Sequence, residues 1–302
     1  MKVSVWELRR EQTKIRVRTV VLVVSAIIAA IFTIVWLDKV FSQSESGAVL
    51  CAITLAIMPV ILIACVVRGK LPNRYRNLYK ESLVKEIAGE LFENLSYDPN
   101  QGYKKDEIKD TRLMKIGNVF ESEDLMTGMY RGVKFSRADL RIENIQSTGK
   151  STTRIEYFRG SWLMVASDKK IRGSLQIMSN GIRFADKYKE SFFSGGENRR
   201  HKIESEDVDF NREFRIMASD DADAFYVLTP RMMQDLKALK RALGCEIMVA
   251  WIGGRIHVAV YSHKNSLEPP VWSELHLEDE RRKIEKDLCD VRTVVDILNL
   301  SR

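Results

Sequence analysis

Two stretches of this chain contain no charged residue: residues 19–37 and residues 47–67, of 19 and 21 residues. A helix rises about 1.5 Å per residue, so each would be roughly 28–32 Å long, close to the hydrocarbon thickness of a bilayer. Lipid offers no partner to peptide groups, and a helix satisfies its own. Both stretches are therefore expected to be membrane spans, joined through the polar break WLDKVFSQSESGAVL at residues 36–50. The rival reading for the first stretch is a cleaved signal peptide. Its apolar core would be shorter, about 7–15 residues, and would end on small residues, unlike Trp36-Leu37-Asp38-Lys39.

Basic residues orient the hairpin. Lys2, Arg9, Arg10, Lys14, Arg16 and Arg18 precede the first stretch, and Arg68, Lys70, Arg74, Arg76 and Lys80 follow the second. The connecting loop holds only Lys39, beside Asp38 and Glu45. The excess of Lys and Arg on the flanks places both termini in the cytoplasm. Small residues recur at Ala48, Ala52 and Ala56, and at Ser25 and Ala29, spacings that let helices approach closely. Pro59 is expected to kink the second span. Neither stretch carries an ionisable group, which favours a packed anchor over a transport path. Arg68, Lys70, Arg74 and Arg76 are read as contacts to anionic lipid headgroups, or as charges that only fix topology.

Net charge is +7, from 48 basic and 41 acidic residues over 302. Part of that surplus sits on the apolar front, leaving a nearly balanced remainder, which argues against a dedicated nucleic-acid binder. The four cysteines, Cys51, Cys65, Cys245 and Cys289, have neither metal-knuckle nor redox spacing and read as reduced packing residues.

Residues 1–70 thus form an anchor, 71–112 an amphipathic helix and charged connection, and 113–302 an α+β domain with a mainly antiparallel sheet and flanking helices. The helix carries Tyr75, Leu78, Leu83, Ile87, Leu91 and Leu95 on one stripe and is expected to end near Asn94. Residues 103–112 read as a solvated connection. Ser122 is read as the cap of a short turn, with Glu121, Glu123 and Asp124 as helix-start acids. A strand from Val133 with an irregularity at Arg137-Ala138 comes next, then short strands at 154–158, 162–166, 174–178 and 182–184, with a turn at Asn180-Gly181. Strands are expected at 214–217 and 224–228, with Asp220, Asp221 and Asp223 in the turn between them. Thr229-Pro230 opens a helix that Gly244 closes. EIMVAWIGGRIHVAVYS reads as a hairpin about Gly253-Gly254, and 278–299 as one last helix.

The order of these pieces resembles a known family. LSYDPNQG, FESEDLMTGMYRGVKFSRADL, YFRGSWLMV, FRIMASDDADAFYVLTPRMMQDLKAL and the GGRIHVAVYS hairpin carry the resemblance, followed by a Glu-Pro element and a terminal helix. The chain resembles, over nearly its whole length, the bacterial membrane family called domain of unknown function 3137, some of whose members carry the label galanin. The resemblance implies a bacterial cytoplasmic-membrane protein with a cytosolic domain. It brings no assigned activity and no catalytic residues.

Chemical motifs are sparse. There is no GxxxxGK[ST], GxSxG or HExxH in the sequence. Arg199, Arg200 and Lys202 follow Gly195-Gly196 and form a basic cluster suited to an anion. His257 alternates with Ile256 and Val258 and is expected to be partly exposed; a metal pairing with His276 lacks companion ligands. No cofactor is implied. Two function classes stay open: a membrane-anchored interaction or regulatory module with a cytoplasmic protein partner, or a membrane-associated enzyme or binding protein for a lipid or phosphate-bearing ligand. Self-association is compatible with either.

Overall fold

The computed structural model describes residues 5–41, 73–149, 151–183 and 200–300. The second apolar stretch, the loop beyond Phe41 and Pro59 lie outside the described residues, as do Arg68, Lys70 and Arg199; Asp38 and Lys39, expected in the loop, belong to the first helix.

The chain divides into two units, one of residues 1–82 and 269–277, the other of residues 83–268 and 278–302. In the first unit, helix α1 (Val5–Phe41) is long and apolar enough to cross a membrane. Val20, Val21, Ile27, Ile28, Ile31 and Phe32 all lie exposed on it. A helix apolar on every side has no soluble surface to present and needs an apolar surround. Its base is different. Gln12 is buried there and donates from Nε2 to the carbonyls of Pro270 (3.0 Å) and Ser273 (2.9 Å). Arg9 reaches Leu275 O at 3.1 Å, and Arg16 Nε reaches Val271 O at 2.7 Å. Helix α2 (Asn73–Tyr79) adds Tyr75, whose buried hydroxyl donates to the same Pro270 carbonyl at 2.8 Å. Prolines 269 and 270 cannot donate, so this strap supplies acceptors and the helices supply donors.

After α2 comes a π-type turn, Lys80–Val84, then helix α3 (Lys85–Leu91). The amphipathic helix stops at Leu91 rather than near Asn94: Phe92 is already extended, and strand β1 (Glu93–Asp98) follows. The apolar spacing of Leu91 and Leu95 is helical in register but belongs to two elements. Residues 103–112 are no solvated connection. They hold a short helix α4 (Lys105–Asp110), with Tyr103, Ile108 and Thr111 buried.

The second unit is built on one antiparallel sheet of nine strands. To β1 it adds β2 (Val119–Tyr130), β3 (Val133–Ser147), β4 (Thr152–Ala166), β5 (Leu175–Ser179), β6 (His201–Ile203), β7 (Phe214–Ala218), β8 (Glu246–Ile252) and β9 (Arg255–Tyr261). Their order is β1-β2-β3-β4-β9-β8-β5-β7-β6. FESEDL is therefore strand, not a helix start. The irregularity expected at Arg137-Ala138 sits across the ladder instead, where the β2–β3 register shifts between Glu123 and Met126, opposite Asp139 and Arg137. Asp124 occupies that bulge with φ 60. Residues 154–158 and 162–166 are one continuous strand. A Cβ at Gly160 would lie 2.0 Å from the Val260 carbonyl, so only glycine lets β4 close on β9 here. Ile182 lies outside any strand, while Asn180-Gly181 forms the expected turn.

The sheet is buried on both faces. Ala138, Leu140, Ile142, Phe158, Trp162 and Met164 share one core with Ile108 and Met114. The last third adds five helices: α5 (Val208–Glu213), α6 (Asp221–Val227), α7 (Pro230–Leu243), α8 (Leu277–Asp287) and α9 (Cys289–Ile297). Two-sided burial explains why β8 and β9 read as continuous apolar runs. Their hairpin turns on Gly253 and Gly254, both at positive φ, as a two-residue primed turn requires. Helix α7 opens as expected, with Thr229 Oγ1 accepting from Met232 N at 3.2 Å, and closes on Gly244 at φ 62. Residues 224–228 are helix, not strand: Asp220 accepts from Asp223 N at 3.0 Å and starts α6. The cap outweighs the β propensity of Phe225, Tyr226 and Val227. The terminal helix is two helices, parted at Leu288.

Candidate functional site

Charge is buried deeply in the sheet domain. Arg137 projects from β3 with no exposed side-chain surface and lies between two carboxylates, Asp139 Oδ1 at 3.0 Å from Nη1 and Asp290 Oδ2 at 2.9 Å from Nε. Arg137 Nη2 donates to Ser266 Oγ at 3.2 Å, and Ser266 N donates to Asp139 Oδ2 at 2.6 Å. Burial alone would lower the Arg137 pKa; Asp290 and Asp139 outweigh it and hold the guanidinium charged. Burial, with Asp124 and Asp290 nearby, pushes the Asp139 carboxyl up to about 7 against the pull of Arg137. At the bulge, Tyr97 donates to Asp124 Oδ1 at 2.6 Å, and burial followed by this carboxylate pushes the phenol far above its ordinary range. Glu123, Asp124 and Glu268 bring one carboxylate oxygen each within 4.8 Å of one another. Glu123 accepts from Asn265 at 3.0 Å and Asp124 from Tyr97, so two of the three carboxylates serve the network around the bulge.

His257 is buried rather than partly exposed. Trp162 Nε1 donates to its Nδ1 at 3.4 Å, and burial lowers its pKa to about 4, so the ring is neutral. It lies within the core face, which alternation alone did not reveal because both faces of β9 are covered.

The basic cluster of the sequence does not stay together. Lys202 is exposed on β6 and pairs with Glu204 at 2.7 Å. Arg200 turns inward and is buried. Its Nε donates to Ser174 Oγ at 2.7 Å and its Nη2 to Thr111 O at 3.2 Å. There it lines a cavity of about 360 Å³ together with Arg112, Arg172, Asp110 and Ser174. Arg112 and Arg172, both exposed, were not singled out in the sequence. They lie 28 to 88 positions from Arg200, in a charged run and a turn. Of the juxtamembrane cations, Arg74 is exposed and Arg76 half-buried on α2.

A second cavity, about 460 Å³, has Val133, Met232, Trp251 and Ile256 in its floor and Lys134 and Lys169 at its rim. Lys169 Nζ donates to Val227 O at 3.3 Å, and burial lowers its pKa.

No curated protein matches the chain. Among solved structures, it is similar to the crystal structure of the mycobacterial trehalose monomycolate transport factor A, TtfA, at 13% identity and a TM-score of 0.38, over 76% of this chain and 95% of that one. The motifs that precede β4 fall outside the family match described next, which is shorter than the resemblance read along the sequence. Residues 156–300, from within β4 to just past α9, match the model of the family described as protein of unknown function (DUF3137), the family that the chain's motifs resemble.

Proposed function

We propose that this chain is a two-span membrane anchor carrying an interaction or regulatory domain on the cytoplasmic face of a bacterial membrane. One observation carries the topology. Gln12, at the base of α1, and Tyr75, on α2, donate to the same carbonyl, that of Pro270. Residues on either side of the apolar region therefore meet, and they meet on one side of any bilayer that α1 crosses. A chain that crosses once through α1 must cross back before residue 73. Residues 47–67, uncharged throughout, have the length to do so. Arg9, Arg10, Lys14, Arg16, Arg18 and Arg74 gather on that side, which favours the cytoplasm. Arg68, Lys70, Arg74 and Arg76 would then stand at the headgroup level.

The partner-binding part of the reading is supported by Phe225 and Tyr226, neighbouring exposed aromatics on α6. A photo-crosslinking residue at either position should give a discrete adduct in cells, and one at exposed Asp209 should not. Equal labelling at all three positions contradicts this surface.

A second reading, binding of a lipid or phosphate-bearing ligand, is favoured by the polar cavity that Arg112, Arg172 and Arg200 share.

A further inference from the structure

We infer that the cavity over Trp251 and Ile256 takes the chain of a single-chain amphiphile, with the anionic head of that molecule held at its mouth by Lys134 and Lys169. The inference rests on the ligand-binding reading and adds the class of ligand.

Strand register builds the floor. Phe135 pairs with Val165, Val165 with Ile256 and Ile256 with Trp251, so one row of residues crosses β3, β4, β9 and β8. Directly paired residues share a face, and Val133, two positions before Phe135, shares it as well. Val133, Ile256 and Trp251 line the cavity from this row, and Met232, in the first turn of α7, and Leu298, just past α9, line it from the helices. All five are buried apolar residues of the second unit. The volume, about 460 Å³, is that of a small-molecule site, for which about 300–1,000 Å³ is usual. A floor of this composition gains from apolar matter and gives a charged head no partner, so the chain end enters first.

The mouth has the opposite chemistry. Lys134 stands exposed beside Val133, and Lys169, just past the end of β4, is half-buried. Lys169 Nζ donates to two neutral acceptors, Val227 O at 3.3 Å and Tyr226 O at 3.5 Å, and lies 5.4 Å from the centre of the Tyr226 ring. Neither lysine forms an ion pair with a described residue. Asp168 and Arg131 also line the cavity, and Arg131 pairs with Asp296 at 3.0 Å. Burial is what lowers the Lys169 pKa. An ammonium that burial has stripped of water, and that has only carbonyls and a ring for partners, gains from an anion placed beside it. An amphiphile with a carboxylate or phosphate head meets both requirements at once: its chain covers the floor and its head reaches the two ammonium groups.

The test uses the full chain in phosphatidylcholine nanodiscs, with a fatty acid that carries a diazirine near its methyl end. After illumination, adducts are mapped by peptide mass spectrometry, with label on α1 as the reference. Adducts are expected on Met232 and on the peptide that holds Trp251 and Ile256. Dodecanoate or dodecyl phosphate should displace them, and dodecanol, with the same chain and no charge, should not. The better competitor of the two anions assigns the head as carboxylate or phosphate. Ala166→Trp, which fills the mouth from an exposed position, should abolish these adducts. Lys134→Gln combined with Lys169→Gln should reduce them about ten-fold, and both variants should melt as the native chain does. Adducts that survive Ala166→Trp, or that dodecanol displaces as well as the anions do, overturn the proposal. Displaceable label elsewhere on the sheet domain, with none in this cavity, overturns the site and leaves the ligand reading standing. A sheet domain without displaceable label overturns the site together with the lipid half of that reading.

Discussion

Arg137 on β3 and Asp290 on α9 are joined in the interior of the sheet domain, Nε to Oδ2 at 2.9 Å, across 153 positions of sequence. The pair ties the last helix to the third strand of the sheet. A buried ion pair adds little over an apolar substitute, but losing one partner strands the other, at a cost of about 3–5 kcal/mol. Arg137→Met should lower the unfolding free energy by that amount. Arg137→Met combined with Asp139→Leu and Asp290→Leu should recover part of the loss. Urea midpoints of the full chain in detergent measure both.

Asp139 and His257 predict opposite responses to pH. Asp139 is raised from 3.8 to about 7, so between those values the folded chain binds a proton that the unfolded chain has released. Its contribution to stability is full below about pH 4 and is lost as pH rises to about 7. His257 is lowered from 6.5 to about 4, so its contribution is present above about pH 6.5 and is lost as pH falls to about 4. Each amounts to roughly 3–4 kcal/mol, and the two partly cancel in the native chain. Asp139→Asn should therefore make stability rise more steeply with pH over this window, and His257→Gln should make it fall. Chemical denaturation at pH 4.5, 5.5 and 6.5 separates the slopes.

Gly160 allows β4 to approach β9 closely enough to pair. Since a Cβ there would meet the Val260 carbonyl at 2.0 Å, Gly160→Ala must push the strands apart. A loss of roughly 1–3 kcal/mol is expected. Gly132, whose added Cβ meets nothing within 4 Å but whose φ is 77, is the contrasting position. Gly132→Asn, which tolerates that φ, should cost much less in the same thermal melts.

The strap at residues 269–277 is held by side chains of α1. Removing Gln12 and Arg16 together by substitution with Ala deletes the α1 donors to Pro270, Val271 and Ser273 and leaves the Tyr75 bond to Pro270 in place. Each neutral bond is worth about 1 kcal/mol and a charged one somewhat more. Limited proteolysis within 269–277 should accelerate several-fold in the double variant. An unchanged cleavage rate would mean that the strap is held by other means.

Local chemistry was legible in the sequence wherever it decided structure locally. The Thr229 cap, the Gly244 stop and the Gly253-Gly254 turn each sit next to the residues they organise, and each forms as expected. Misreadings came where distant residues decide. SEDL is polar and looks like a turn, yet Asp124 is buried because Tyr97, 27 positions earlier, satisfies it. Ala224–Leu228 has strand-like composition, but the Asp220 cap makes it helix. The candidate site shows the same division. Arg200 was visible as part of a basic cluster, whereas Arg172 comes near it through the pairing of β5 and β6 with β7, and Arg112 through the carbonyls of Thr111 and Arg112, which accept from Gln176. No spacing in the sequence links the three.

The central claim is that α1 crosses a bilayer and the chain returns before Asn73. Dual reporters measure this directly: alkaline phosphatase and green fluorescent protein fused in separate chains after residue 44 and after residue 302. A phosphatase active only at residue 44 and fluorescence only at residue 302 are the predicted results. Phosphatase activity at residue 302 would contradict the account, because it would place the sheet domain on the far side of the membrane.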